Sequence, residues 1–143
     1  VRVSSSSGHT VVRVVTAEVR RSGAWLLVQR PAHAVLPLLW EFPGGRVRDG
    51  ESDRDALMRS LGARIGVQPS VGERILEVRH DYPDYSVVLA VYRCELAPDD
   101  EPSARTVQAV AWVSPEDFDD YPFPPADQKT VEALLRERDS TDA

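Results

Sequence analysis

The chain has 143 residues, 42% of them apolar and 28% charged, enough for one domain that buries its own core without disulfide or metal staples. Its net charge of −6 argues against general nucleic-acid or membrane binding, because neither polyanion is drawn to an acidic surface. A single cysteine, Cys94, excludes an internal disulfide and a cysteine-ligated zinc site, and no apolar run approaches the roughly 20 residues of a membrane span.

Residues 1–9 are small and polar and carry no signal-peptide pattern; they read as a flexible lead-in, with the cytoplasm as the default compartment. Residues 10–19 are rich in β-branched side chains and predict a strand. Arg21-Ser22-Gly23 predicts a turn and residues 24–29 a second strand, the pair suggesting a hairpin. Residues 31–39 form a loop with two prolines, and residues 40–45 a short strand running into a glycine turn. The first helix is expected over 52–65. Ser52 is its N-cap, Asp53 and Asp55 complement the dipole, Leu57, Leu61 and Ile65 make one apolar stripe, and Gly66 is its stop. Strands follow at 74–79, 86–95 and 107–113. Ser114-Pro115 opens a helical turn, residues 127–138 form the last helix, and 139–143 are a polar tail. Residues 10–138 thus read as one mixed α/β domain, with Cys94 a small buried residue in a strand.

The stretch from Gly45 to Val67 reads G-R-V-R-D-G-E-S-D-R-D-A-L-M-R-S-L-G-A-R-I-G-V. It resembles the Nudix box, G-x5-E-x7-R-E-U-x-E-E-x-G-U, with U an aliphatic residue. Gly45, Glu51, Arg59, Leu61, Gly66 and Val67 fall on the pattern. The three glutamates of its R-E-U-x-E-E core are replaced by Ser60, Ala63 and Arg64. Three further segments are similar to the MutT-like group of that superfamily: Trp40 to Gly45 (W-E-F-P-G-G), Ala111 to Ser114 (A-W-V-S) and Phe123 to Asp127 (F-P-P-A-D), with Leu27 to Arg30 as the strand ahead of the box. The resemblance implies an α/β/α sandwich with a mixed sheet, a box helix and a C-terminal helix. It also implies a site for nucleoside triphosphates, in which the box glutamates hold Mg²⁺ that bridges phosphates and activates water.

The departures bear on that chemistry. Mg²⁺ asks for octahedral oxygen ligands, and the three box positions here supply a hydroxyl, a methyl and a cation. The neighbourhood of Thr106, where many MutT-like members place another glutamate, holds no acid. A guanidinium at Arg64 repels Mg²⁺ yet can pair with a phosphate oxygen; the plainer alternative is a solvated helix residue. By family position, Arg30, Phe42, Gly44, Gly45, Arg59, Arg64, Tyr82 and Asp127 are the candidate ligand-binding residues. Asp127 would accept from a base edge or serve as a helix N-cap. Phe42 would stack on a base or belong to the core, and Tyr82 or Tyr85 would stack from the hairpin 79–85. His80 beside Asp81 makes no dyad, since neighbours in a strand face opposite ways. The acids at 116, 117, 119 and 120 read as a cover over docked aromatics rather than a cation site.

Three functions compete. The first is a catalytically inactive nucleotide-binding domain of sensor or regulatory type, needing no cofactor and recognising a small phosphorylated ligand. The second is an active Mg²⁺-dependent nucleotide pyrophosphohydrolase with a rearranged site on Glu51 and Asp55, which are four apart on one helical face, or on Asp53 or Glu41. The third is a scaffold for a protein partner.

Overall fold

A computed structural model describes the backbone of residues 3–6 and 9–142, and the side chains of residues 10–136. Among the described residues, nine strands and two α-helices run in the order β1 (Val3–Ser6), β2 (His9–Glu18), β3 (Arg20–Arg21), β4 (Ala24–Gln29), β5 (Trp40–Glu41), β6 (Gly44–Arg46), α1 (Asp53–Ile65), β7 (Ser70–Asp81), β8 (Tyr85–Glu95), β9 (Ala109–Val113) and α2 (Pro125–Asp142). A 3₁₀ turn spans Pro115–Asp120.

Two sheets result. One has the order β1-β2-β8-β7, with β6 also on β2; its β2–β8 pairing is parallel and the rest antiparallel, so the sheet is mixed. The other is built on β4, flanked by β9 and by β3 and β5. Alternation in β4 explains why Trp25-Leu26-Leu27-Val28 is an unbroken apolar run. Leu26 and Val28 pack towards the α1 stripe Leu57, Leu61 and Ile65. Trp25 and Leu27 pack with Phe42, Phe118, Phe123 and Leu134 on the other side. A strand buried on both faces needs apolar residues at every position.

Helix α1 begins as its sequence dictates. The Ser52 hydroxyl accepts from the Asp55 amide at 3.1 Å, and Gly66 closes the helix at φ 72°. Asp53 ties its first turn to the sheet, accepting from Arg13 and from the Tyr92 hydroxyl, each at 2.6 Å.

Several expectations are corrected. The segment 24–29 does not pair with the strand at 10–19. Both edges of β2 are occupied, by β8 on one side and by β1 and β6 on the other, so β4 joins a second sheet and its hairpin partner is the two-residue β3. Within the expected flexible lead-in, Val3–Ser6 pair with the outer end of β2, covering backbone groups that would otherwise form a bare edge. Residues 1, 2, 7 and 8 lie outside the described residues. Gly44–Arg46 are a strand rather than a turn. Gly44 can lie there because it has no Cβ: one would meet the Val15 carbonyl oxygen and Thr16 Cα. Helix α2 starts two residues early and runs on through the expected polar tail to Asp142. The Ser114 hydroxyl bonds to Glu116 instead of capping the backbone. The acidic cluster at 116–120 surrounds a docked aromatic, as expected. Phe118 is buried, and Tyr121 meets Trp40 edge-on at 5.0 Å.

Candidate functional site

A cavity of about 580 Å³ opens between the first sheet, α1, the loop 31–39 and the start of α2. That volume lies within the range of small-molecule sites. Its floor is one face of two parallel strands, Val12, Val14 and Thr16 of β2 beside Tyr85, Val87 and Leu89 of β8. The opposite face of the same strands packs against α1 through Val15, Ala17 and Ala90. Period-two alternation therefore divides core from pocket.

All eight candidate ligand-binding residues line this one cavity. Phe42 belongs to it only in part. It is 1% exposed and packs against Trp25, Phe118 and Phe123 with ring centroids 5.8–6.4 Å apart. Its aromatic payload is spent on the core, and a base-stacking role for it is corrected on that ground. Tyr82 and Tyr85 stack on each other at 4.9 Å, and the Tyr82 hydroxyl accepts from the Ala126 amide, which docks the hairpin on α2.

At one end of the cavity sits a polar group of three, the half-buried Arg30 and Glu41 and the buried Asp127. Arg30 donates to both carboxylate oxygens of Glu41, at 3.3 and 3.4 Å, and through Nε to the carbonyls of Val35 and Leu36. The guanidinium thereby gathers a loop in which Leu36 and Leu38 hold positive φ, 55° and 62°, a costly conformation for non-glycine residues. Burial pushes the Glu41 carboxyl above its ordinary range, against the opposing charges of Arg30 and Arg64. Asp127, in the first turn of α2, is raised further by burial and then by the Glu41 charge. Its Oδ1 is buried with no hydrogen-bond partner among the described residues.

The other end is basic. Arg46, Arg48, Arg59 and Arg64 line it, and with Arg30 the cavity holds five arginines against the two carboxylates of Glu41 and Asp127. Arg59 is committed elsewhere. It donates to both oxygens of Glu51, at 2.8 and 3.0 Å, and to the Arg46 carbonyl at 2.8 Å. Glu51 also accepts from the Arg48 amide, and the Arg59 hydrogen bonds hold its carboxyl down to about 2. Arg64 differs: half-buried in the cavity wall, it forms no ion pair among the described residues. Burial lowers its pKa, with Glu41 opposing. Ser60 lies beneath Gly45. A Cβ on Gly45 would stand 2.5 Å from Ser60 Oγ and 3.6 Å from Arg64 Nε. The hydroxyls of Ser60 and Thr16 are buried without partners among the described residues, and both residues belong to the lining.

The residues present do not fit a Mg²⁺ centre of the box type. Both Glu51 oxygens are engaged by Arg59 and the Arg48 amide, and the side chain is outside the lining. Asp55 is exposed and also outside it, so the Glu51–Asp55 pair does not face the cavity. Among the described residues no group of three or more His, Cys, Asp or Glu converges as a metal site, and a cationic Arg64 stands in the wall.

Sequence reasoning missed Thr16 as a pocket residue and gave Glu41 only as a possible metal ligand. The signal for Thr16 was a hydroxyl in phase with Val12 and Val14 within the apolar part of the strand. Glu41 had none of its own, because a carboxylate beside Trp40 and Phe42 reads equally as the solvent side of a strand. Thr106, expected near the site by family position, lines the cavity, and its amide bonds the Arg64 carbonyl at 3.2 Å.

Comparison with known proteins agrees with this architecture. A family model described as the NUDIX domain matches residues 14–133. A CTP pyrophosphohydrolase of Escherichia coli is 36% identical over 127 residues, covering 87% of this chain and 92% of that protein. An 8-oxo-dGTP diphosphatase of Haemophilus influenzae is 31% identical over 128 residues, covering 89% and 93%. Among solved structures, the E. coli ORF135 protein superposes with a TM-score of 0.75 at 36% identity over 90% of this chain and 91% of that one. A MutT protein from Methanosarcina mazei superposes with a TM-score of 0.79 over 94% and 99% of the two chains, at 22% identity that speaks for the fold alone. Fold, box frame and relatives converge: the chain belongs to the Nudix family, in its MutT-like group.

Proposed function

We propose that the chain is a MutT-like Nudix domain that binds a nucleoside di- or triphosphate without the Mg²⁺-centred turnover of its relatives, in a sensing or regulatory role. The observation that carries this reading is the character of the cavity wall. It keeps a nucleotide-sized site whose three box carboxylates are a buried hydroxyl, a methyl and a guanidinium. Asp127, with Glu41 and Arg30 behind it, offers the polar edge that a base needs, and Tyr82 with Tyr85 a stacking platform. Gly44, Gly45 and the arginines face the phosphates. Arg59 acts through Glu51, holding the loop 46–51 in place.

A second reading has its own support. The relatives that cover some 90% of this chain are named for pyrophosphate-releasing activity on nucleotides, and on that count an active hydrolase is favoured. It requires Mg²⁺ to be held by Glu41 with other ligands, because Glu51 and Asp55 do not face the cavity. No helix among the described residues is long and apolar enough to cross a membrane; the nucleotide activities for which the relatives are named support a small phosphorylated ligand as the partner.

The deciding experiment is calorimetric titration of CTP and 8-oxo-dGTP into the protein, with product analysis of the same samples after incubation with Mg²⁺. Saturable binding with intact nucleotide supports the first reading. Mg²⁺-dependent release of pyrophosphate or phosphate at enzyme-like rates overturns it in favour of the second.

A further inference from the structure

We propose that the cradle formed by Gly45, Ser60 and Arg64 takes a phosphate group directly, the Arg64 guanidinium standing where the box would hold a divalent cation. The inference deepens the nucleotide reading above and rests on it for the identity of the rest of the ligand. Three observations meet at one place. Gly45 lies directly against the other two: a Cβ there would stand 2.5 Å from Ser60 Oγ and 3.6 Å from Arg64 Nε, so the three residues adjoin in one stretch of the cavity wall. Ser60 Oγ is buried and has no partner among the described residues, and a buried hydroxyl in a native fold ordinarily has one. Arg64 is half-buried, lines the cavity and has no ion pair among the described residues.

These are the donors that an anion needs. A hydroxyl and a planar guanidinium both donate to phosphate oxygens, and charge-assisted bonds of this kind are the strong ones. Arg46 and Arg48 are exposed along the same wall. Although the chain as a whole carries −6, this cavity carries an excess of arginine over carboxylate. The local field therefore draws an anion and opposes a free divalent cation. Binding should not require Mg²⁺, and Mg²⁺ should weaken it slightly by competing for the same phosphate oxygens.

The test is equilibrium binding of inorganic tripolyphosphate and of CTP to the whole chain, in EDTA and in millimolar Mg²⁺. Wild type, Arg64→Glu, Arg64→Gln and Arg64→Lys are compared, with melting curves to verify folding. Tripolyphosphate is expected to bind in EDTA. Arg64→Glu should weaken it by about tenfold or more and Arg64→Gln by several-fold, while Arg64→Lys, which keeps charge but loses the fork, falls between wild type and Arg64→Gln. If Arg64→Glu does not fold, Arg64→Gln decides. Tripolyphosphate and CTP affinities unchanged in folded Arg64 variants overturn the proposal, as does binding that appears only with Mg²⁺. Tripolyphosphate bound in EDTA with no nucleotide bound supports the cradle and overturns the nucleotide reading. CTP bound only with Mg²⁺ overturns the cradle and leaves the nucleotide reading standing.

Discussion

Restoring the box carboxylates is the sharpest perturbation of the site. S60E/A63E/R64E adds three carboxylates and removes one guanidinium, so a wall of five arginines and two carboxylates becomes four and five; its formal charge passes from +3 to −1. Without metal the variant should melt below wild type. A carboxylate at position 64 faces the negative end of α1, where Arg64 now complements the dipole, and that reversal alone costs about 0.3–1 kcal/mol. Crowding of five acids adds to the loss. Mg²⁺ should then recover stability. At about ten times its dissociation constant the ion contributes about 1.4 kcal/mol, which is roughly 4 °C in a chain of this size. Wild type should show no such recovery. With CTP or 8-oxo-dGTP, a regained metal-activated nucleophile should raise turnover by at least the about 10²–10⁴-fold of a general base, or about 3–5 kcal/mol of barrier. The assay is release of inorganic phosphate after pyrophosphatase treatment, in Mg²⁺ and in EDTA. A variant that folds and binds nucleotide, yet gains neither Mg²⁺ stabilisation nor turnover, refutes the argument that these three side chains separate this chain from its hydrolase relatives.

Gly44→Ala should cost about 3 kcal/mol or more, near 10 °C in Tm, because its methyl meets the backbone of Val15 and Thr16 and must part β6 from β2. Gly23→Ala, with φ 79° but nothing within 4 Å, should cost about 1 kcal/mol; equal losses in thermal melts would contradict this. Glu51, held down to about 2 by Arg59, contributes stability above its unfolded pKa that is lost as pH falls through the folded one. Urea melts from pH 5 to pH 2 should therefore show a slope that Glu51→Gln reduces, and an unchanged slope would remove Glu51 from the account. Asp127 lies on the opposite side of the linkage. Its raised pKa means that stability present at low pH is lost as pH rises through the folded value. Asp127→Asn, isosteric and uncharged, should then raise Tm at pH 8 and have little effect at pH 4; a lower Tm at pH 8 would show that the carboxylate is worth more to the α2 dipole than it loses by burial.

Much of this protein could be read locally. The cap Ser52, the stripe Leu57, Leu61 and Ile65 and the stop at Gly66 place α1 within one residue, because a helix is specified by contacts three and four residues apart. The box frame is a property of spacing alone, and the family membership it points to is upheld by the NUDIX domain match. What depended on distant partners was not legible. Ala24–Gln29 reads as an apolar strand, but nothing in it says that β2 has no free edge and that a second sheet must receive it. Nothing around Glu41 announces that it will meet Arg30 and face Asp127, 86 positions further along the sequence.

The sequence by itself determined the two main helices, most strands, the family and the presence of Ser60, Ala63 and Arg64 in the box frame. Each follows from residue types at short, fixed separations. Only the tertiary structure decided that Phe42 is core, that Asp55 and Glu51 turn away from the cavity, and that Arg64 lies half-buried beside Ser60 and Gly45 with no ion pair among the described residues. The physical reason is that burial, ion pairing and the sign of a local field depend on which segments meet in space, and strand pairing and sheet packing alone settle that.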